Sequence, residues 1–172
     1  MLNNNWWVHL VYIVCLATAC TIGPPRYEYM VEGKVVAEDF YRAVRFYNDG
    51  IPLINANRLA EARVKLTAAV RLAPDFYDAH YHLGLVLLQL GRERDALEHF
   101  KAVVNAKADV PLAWSSLGEI YVNAGQYNEA INTFNDAASR FPPTSLQKVP
   151  ELYFNFATAL ARVGRTDEAI EK

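Results

Sequence analysis

Trp114-x-x-Leu117-Gly118-x-x-Tyr121, followed by Ala130-x-x-x-Phe134 and then Pro142, is the stretch that decides the fold. Trp114, Leu117 and Tyr121 recur at three- and four-residue spacing, which aligns them as one apolar stripe on a helix. Gly125 interrupts the stripe, at a point where a left-handed helix end carries little steric penalty. Ala130, Phe134 and Ala137 then share one face of a second helix. Pro142 falls just past its end, where a helix cannot continue. The pattern predicts two helices and a tight turn.

The template recurs along the chain. Asn57, Gly91 and Gly125 stand 34 residues apart. The preceding unit carries Leu83, Gly84, Leu87, Ala96 and Phe100, with His80 in the place of Trp114. An earlier one carries Phe46, Gly50, Leu53, Ala62, Leu66, Ala69 and Pro74, and a last one Tyr153, Phe156, Ala157, Leu160, Gly164 and Ala169. This arrangement resembles the tetratricopeptide repeat, a helix-turn-helix unit of about 34 residues. The resemblance spans Ala43 to Lys172. It implies an all-α solenoid of about four repeats over residues 35–172, the last incomplete.

Hydrophobic residues at 52% and charged residues at 21% fit a folded chain. The net charge of -2 offers no basic footprint for nucleic acid. Both cysteines, Cys15 and Cys20, precede the repeats, so a disulfide or cysteine-based zinc site inside the repeats is excluded.

Residues 1–22 read as a signal peptide or membrane anchor. Trp6 to Ala19 is apolar apart from His9 and Thr18, a length closer to a signal core than to a membrane span. Leu16-Ala17-Thr18-Ala19-Cys20 resembles a bacterial lipoprotein cleavage box, which makes Cys20 the expected lipid attachment site. Two features depart from that pattern. Ala17 replaces the usual leucine, and no Lys or Arg precedes Cys20. The first basic residues, Arg26 and Lys34, follow the apolar run. In a retained anchor this bias places the C-terminal side in the cytoplasm, whereas a lipoprotein faces the periplasm or cell envelope.

Residues 23–34 read as a tether broken by Gly23-Pro24-Pro25 and Gly33, and Val35 to Tyr47 as a helix. Pro52 is expected to kink or shorten the first helix. Gly125 to Gly164 is five residues longer than the earlier steps. The surplus, Pro142 to Pro150, reads as a surface loop, with a binding edge as the sharper alternative. Thr166 is expected to cap the last helix.

Few residues invite chemistry. His80 and His82, two apart, diverge by roughly 160° on a helix and cannot readily share a metal. His80 reads as a packed histidine, and His99 with Asp95 makes a poor metal site. Phosphate loops, nucleophile elbows and metalloprotease helices do not occur in the sequence. The expectation is no catalytic residue, no metal and no cofactor. Gly84, Gly118, Ala96 and Ala130 are small so that helices can approach.

In the family, the first helix of each repeat lines a groove that grips a peptide or partner helix. Carried over by position, that groove comprises Tyr47, Asn48, Ile51 and Asn55, then Tyr81, His82, Leu85 and Gln89. Ser115, Glu119 and Asn123 follow, and then Phe154, Asn155 and Thr158. Aromatic and amide groups suit peptide recognition, while the scarcity of cations argues against a carboxylate clamp. The expected function is a non-enzymatic, membrane-tethered scaffold binding a protein partner as an accessory or assembly subunit of a membrane or envelope complex. The alternatives are the non-catalytic repeat portion of a longer enzyme, and a lipoprotein assisting pilus secretin assembly.

Overall fold

The computed structural model describes residues 28–31, 34–106 and 110–170. The leader over 1–22 and Cys20 lie outside the described residues. The repeats are antiparallel helix pairs: α1 (Glu38–Asn55) with α2 (Leu59–Leu72), α3 (Tyr77–Gln89) with α4 (Glu93–Asn105), and α5 (Pro111–Asn123) with α6 (Tyr127–Arg140). A short α7 (Pro143–Leu146) leads into α8 (Pro150–Arg162) and α9 (Thr166–Ile170). Each second helix packs on the next first helix, α2 on α3, α4 on α5 and α6 on α8. First helices also meet directly, α1 with α3 and α5 with α8.

The turns show why the 34-residue rhythm is rigid. Asn57, Gly91, Gly125 and Gly164 all have positive φ, from 56° to 81°. At each turn the next residue's N–H reaches back five positions, as in Gln126 to the Tyr121 carbonyl at 2.8 Å and Arg92 to the Leu87 carbonyl at 2.8 Å. This double closure satisfies the last carbonyls of the first helix and sends the chain back antiparallel.

The helix pairs are locked by an aromatic ring seated on a missing side chain. Phe100 and Phe134 are fully buried. A Cβ built on Gly84 would stand 2.8 Å from the Phe100 ring, and one on Gly118 would stand 2.2 Å from the Phe134 ring. In an open helix Gly→Ala gains about 1 kcal/mol. Here Gly118→Ala is expected to reverse that sign, costing about 2 kcal/mol through overpacking, and Gly84→Ala somewhat less. Urea titration of both variants checks the order. At Gly125 no neighbour lies within 4 Å, so alanine there meets only the cost of positive φ, about 1 kcal/mol.

Several local expectations change in the structure. Val35 starts no helix: Glu28–Val31 and Lys34–Ala37 are antiparallel strands β1 and β2, with Glu28 opposite Ala37 and Val31 opposite Lys34. Adjacent β-branched Val35 and Val36 favour the extended chain, and both strands touch α1. Part of the expected tether is therefore paired backbone. Pro52 does not shorten α1, which runs three residues beyond it. So close to the helix end the missing N–H removes a single bond, and the Pro52 carbonyl still accepts from Ala56 at 3.0 Å.

The Pro142–Pro150 surplus is no surface loop either. Residues 143–146 form a helical turn, with Leu146 and Val149 each only 3% exposed and Phe141 buried beside them. Pro143 and Pro150 occupy first-turn positions, where a missing N–H costs nothing. Thr166 is the first residue of α9 and not its cap. Arg165, just before it, makes a two-pronged pair with Glu168 at 2.7 and 2.6 Å. Arg58 repeats the arrangement with Glu61 at the start of α2.

Candidate functional site

The first-helix face gathers the sequence-predicted groove residues to unequal degrees. Tyr47, Tyr81, His82, Leu85 and Asn155 are half-buried, and Asn48, Asn55, Gln89, Glu119 and Asn123 are exposed. Phe154 is 73% exposed, an unusual state for a phenylalanine. Ser115 departs from the expectation, being 5% exposed. Its position on α5 is covered where helices pack, so it offers no surface to a partner. The sequence alone could not show this, because exposure at that position depends on how tightly neighbouring units stack.

On this face the first two units meet through aromatic rings. The Tyr47 ring lies 5.5 Å from the His82 ring and 4.9 Å from Phe76, and Tyr81 lies 5.2 Å from His82. His82 Nδ1 sits 2.9 Å from the Asp78 carbonyl, which can only accept, so Nδ1 carries the proton and Nε2 is left as an acceptor. The same Nδ1 is 3.3 Å from the Tyr47 hydroxyl. The Tyr47 oxygen therefore receives part of that N–H, and its own proton remains free to donate. Burial raises the Tyr47 phenol above its ordinary range, and the Asp78 charge adds to the effect. Burial likewise raises Tyr81.

Two members of this face were missed in the sequence. Asp78 precedes His82 by one helical turn, and Leu112 is 46% exposed on α5. Both fall at one repeat position, since Val44, Asp78 and Leu112 are 34 apart. Stepping back one helical turn from His82 reaches Asp78, and one period on from Asp78 reaches Leu112.

His80 behaves as a packed histidine with a partner the sequence did not supply. Its Nε2 donates to the Pro74 carbonyl at 3.1 Å, leaving Nδ1 bare to accept from His99 Nδ1–H at 3.0 Å. Burial lowers both imidazoles, and His80 lowers His99 further, against the opposing pull of Asp75 on His80 and of Asp95 and Glu98 on His99. Folding thus favours neutral rings. Below about pH 6.5, where unfolded imidazole takes its proton, the unfolded chain binds more protons and stability falls with pH. Thermal melts across that range are expected to show the loss, flattened in His80→Gln/His99→Gln. Among the described residues no three His, Cys, Asp or Glu gather as a metal-ligating set.

A second cleft, of about 520 Å³, lies between α4, α5 and α6, away from the first-helix face. Val104, Trp114, Leu117 and Tyr121 line it together with Lys101 and Arg140. Trp114 is 7% exposed, packs edge-on to Phe141, and keeps an indole N–H without an acceptor.

Protein FlbA of Caulobacter vibrioides is 28% identical over 147 residues, covering 77% of this chain and 24% of FlbA. Human DnaJ homolog subfamily C member 3 is 30% identical over 99 residues, covering 58% of this chain and 20% of that protein. The chain thus spans about a quarter or less of the curated relatives it matches. Among solved structures, YrrB, described as a TPR protein with an unusual peptide-binding site, superposes with a TM-score of 0.65. Its identity is 23%, over 75% of this chain and 64% of that one, a likeness of fold. A tetratricopeptide repeat model matches residues 53–120 and 87–149, more than half of the chain. With the period, the turns and the ring-on-glycine packing, this places the chain in the tetratricopeptide repeat family, an α-solenoid scaffold for protein–protein contacts.

Proposed function

We propose that this protein is a non-catalytic scaffold that holds a partner protein on the face made by α1, α3, α5 and α8, at a membrane to which residues 1–22 attach it. The observation that carries the reading is exposed apolar area along that face. Phe154 at 73% and Leu112 at 46% are left to water, with Tyr81 and Leu85 half-open between them and the first unit. Such area is costly unless a partner covers it. The peptide site of YrrB supports the same use of the fold.

No helix among the described residues is long and apolar enough to cross a membrane. We assign attachment to the apolar run Trp6–Ala19, with Cys20 as the acylated residue in a lipoprotein facing the periplasm or envelope. In this reading the chain is an accessory or assembly subunit of an envelope complex, with assistance of pilus secretin assembly as one such role. The small share of FlbA and of the DnaJ homologue that it covers favours a second reading, the repeat portion of a longer protein.

Membrane fractionation and intact mass of the mature chain test the attachment. A chain starting at acylated Cys20, released by Cys20→Ser, supports the lipoprotein. An intact Met1 supports a retained anchor, and a wild-type chain absent from membranes overturns both. Photo-crosslinking tests the face. A probe at Phe154 should trap a partner that one at Val64, equally apolar and 60% exposed, does not.

A further inference from the structure

We propose that Tyr47, Asp78 and His82 form a subsite for a basic side chain, Lys or Arg, of an extended peptide laid along the first-helix face. The proposal rests on that face being the partner-binding surface and names the chemistry it selects.

The groups at this spot are acceptors and aromatic faces. His82 Nδ1 donates to the Asp78 carbonyl at 2.9 Å, so its Nε2 presents a lone pair. Tyr47 and Tyr81 flank the imidazole at 5.5 and 5.2 Å, both edge-on, and Phe76 closes the row 4.9 Å from Tyr47. The Asp78 carboxylate is exposed and enters none of the ion pairs among the described residues. It lies near enough for its charge to bear on the Tyr47 hydroxyl. A guanidinium or ammonium group meets all three: ring faces, an imidazole lone pair and a free carboxylate. An acidic side chain would meet only repulsion and one phenolic proton.

The rest of the face has the same sign. By the repeat period Glu119 stands at the position of Leu85, and Glu151 at that of Leu112. Both are exposed, and neither enters an ion pair among the described residues. The cations of α1 are elsewhere, since Arg42 and Arg45 line a separate small cleft with Phe46 and Asp49. Arg162, at the position of Asn123, stands at the far end of the row in α8. The surface therefore complements a segment that is basic at the first two units and mixes apolar with basic side chains toward Leu112 and Phe154, where Glu119 and Glu151 stand on the same helices. This is opposite in charge to a carboxylate clamp.

The test uses the full chain and arrays of nonapeptides with one fixed central residue and randomised flanks. Arg- and Lys-fixed pools should retain about fivefold more protein than Asp- and Glu-fixed pools, the combined size of one exposed cation–π contact and one surface charge pair. Asp78→Asn should erase that preference, and added salt should shrink it, while capture by Phe- and Leu-fixed pools persists. Tyr47→Leu should reduce capture by the basic pools even at high salt, because it removes the ring. Equal capture of basic and acidic pools, or a basic preference unchanged in Asp78→Asn, overturns the subsite and leaves the groove standing. Absence of capture by every pool, apolar ones included, overturns the groove and the subsite together.

Discussion

Phe134→Ala is expected to destabilise the protein by about 4 kcal/mol, the usual cost of emptying a fully buried phenylalanine site. The ring does two jobs. It lies on Gly118, which has no side chain to collapse into the void, and it packs 5.4 Å from the Phe156 ring of α8. Its loss therefore loosens the seam between the third and fourth units as well as the hairpin itself. In a solenoid each unit is held by its neighbours alone, so the damage should be graded along the chain. Hydrogen exchange is expected to show residues 150–170 losing protection first, with α1 and α2 least affected. Gly118→Ala added to Phe134→Ala should cost less than it does alone, since the methyl group then enters vacated space. Strictly additive effects would argue against the ring-on-glycine contact as the lock.

Leu146→Ala is expected to cost about 3 kcal/mol, although it lies in the segment that departs from the 34-residue period. Leu146 is 3% exposed, and with Val149 and Phe141 it fills the wedge between α6 and α8. The neighbouring exposed residues Gln147 and Lys148 provide the contrast, since alanine at either should stay within about 0.5 kcal/mol. Denaturant midpoints of the three variants check this. Were Leu146→Ala as mild as the other two, the segment would be an ordinary surface insertion after all.

The functional reading depends on the same packing. Ser115 was unreadable as buried because its identity suits either side of a helix, and only the stacking of the units decides which. The Tyr47–His82 contact joins residues 35 apart, which the repeat period brings onto adjacent helices but whose ring geometry no spacing fixes. The His80–His99 bond is a further case. Packing of α3 on α4 brings the two half-buried rings to 3.0 Å, and the bond from His80 to the Pro74 carbonyl leaves the nitrogen facing His99 free to accept.

What the sequence determined by itself is the repeat. Its apolar stripe at three- and four-residue spacing, its small residues opposite Phe100 and Phe134, and its Asn or Gly at each turn are local requirements of a helical hairpin. Local requirements leave a periodic trace. What only the tertiary structure decided is exposure and contact between units: the burial of Ser115 and Leu146, and the meeting of Tyr47 with His82 and Asp78. These follow from how helices dozens of residues apart settle against one another, and that distance in the chain keeps them out of any short pattern.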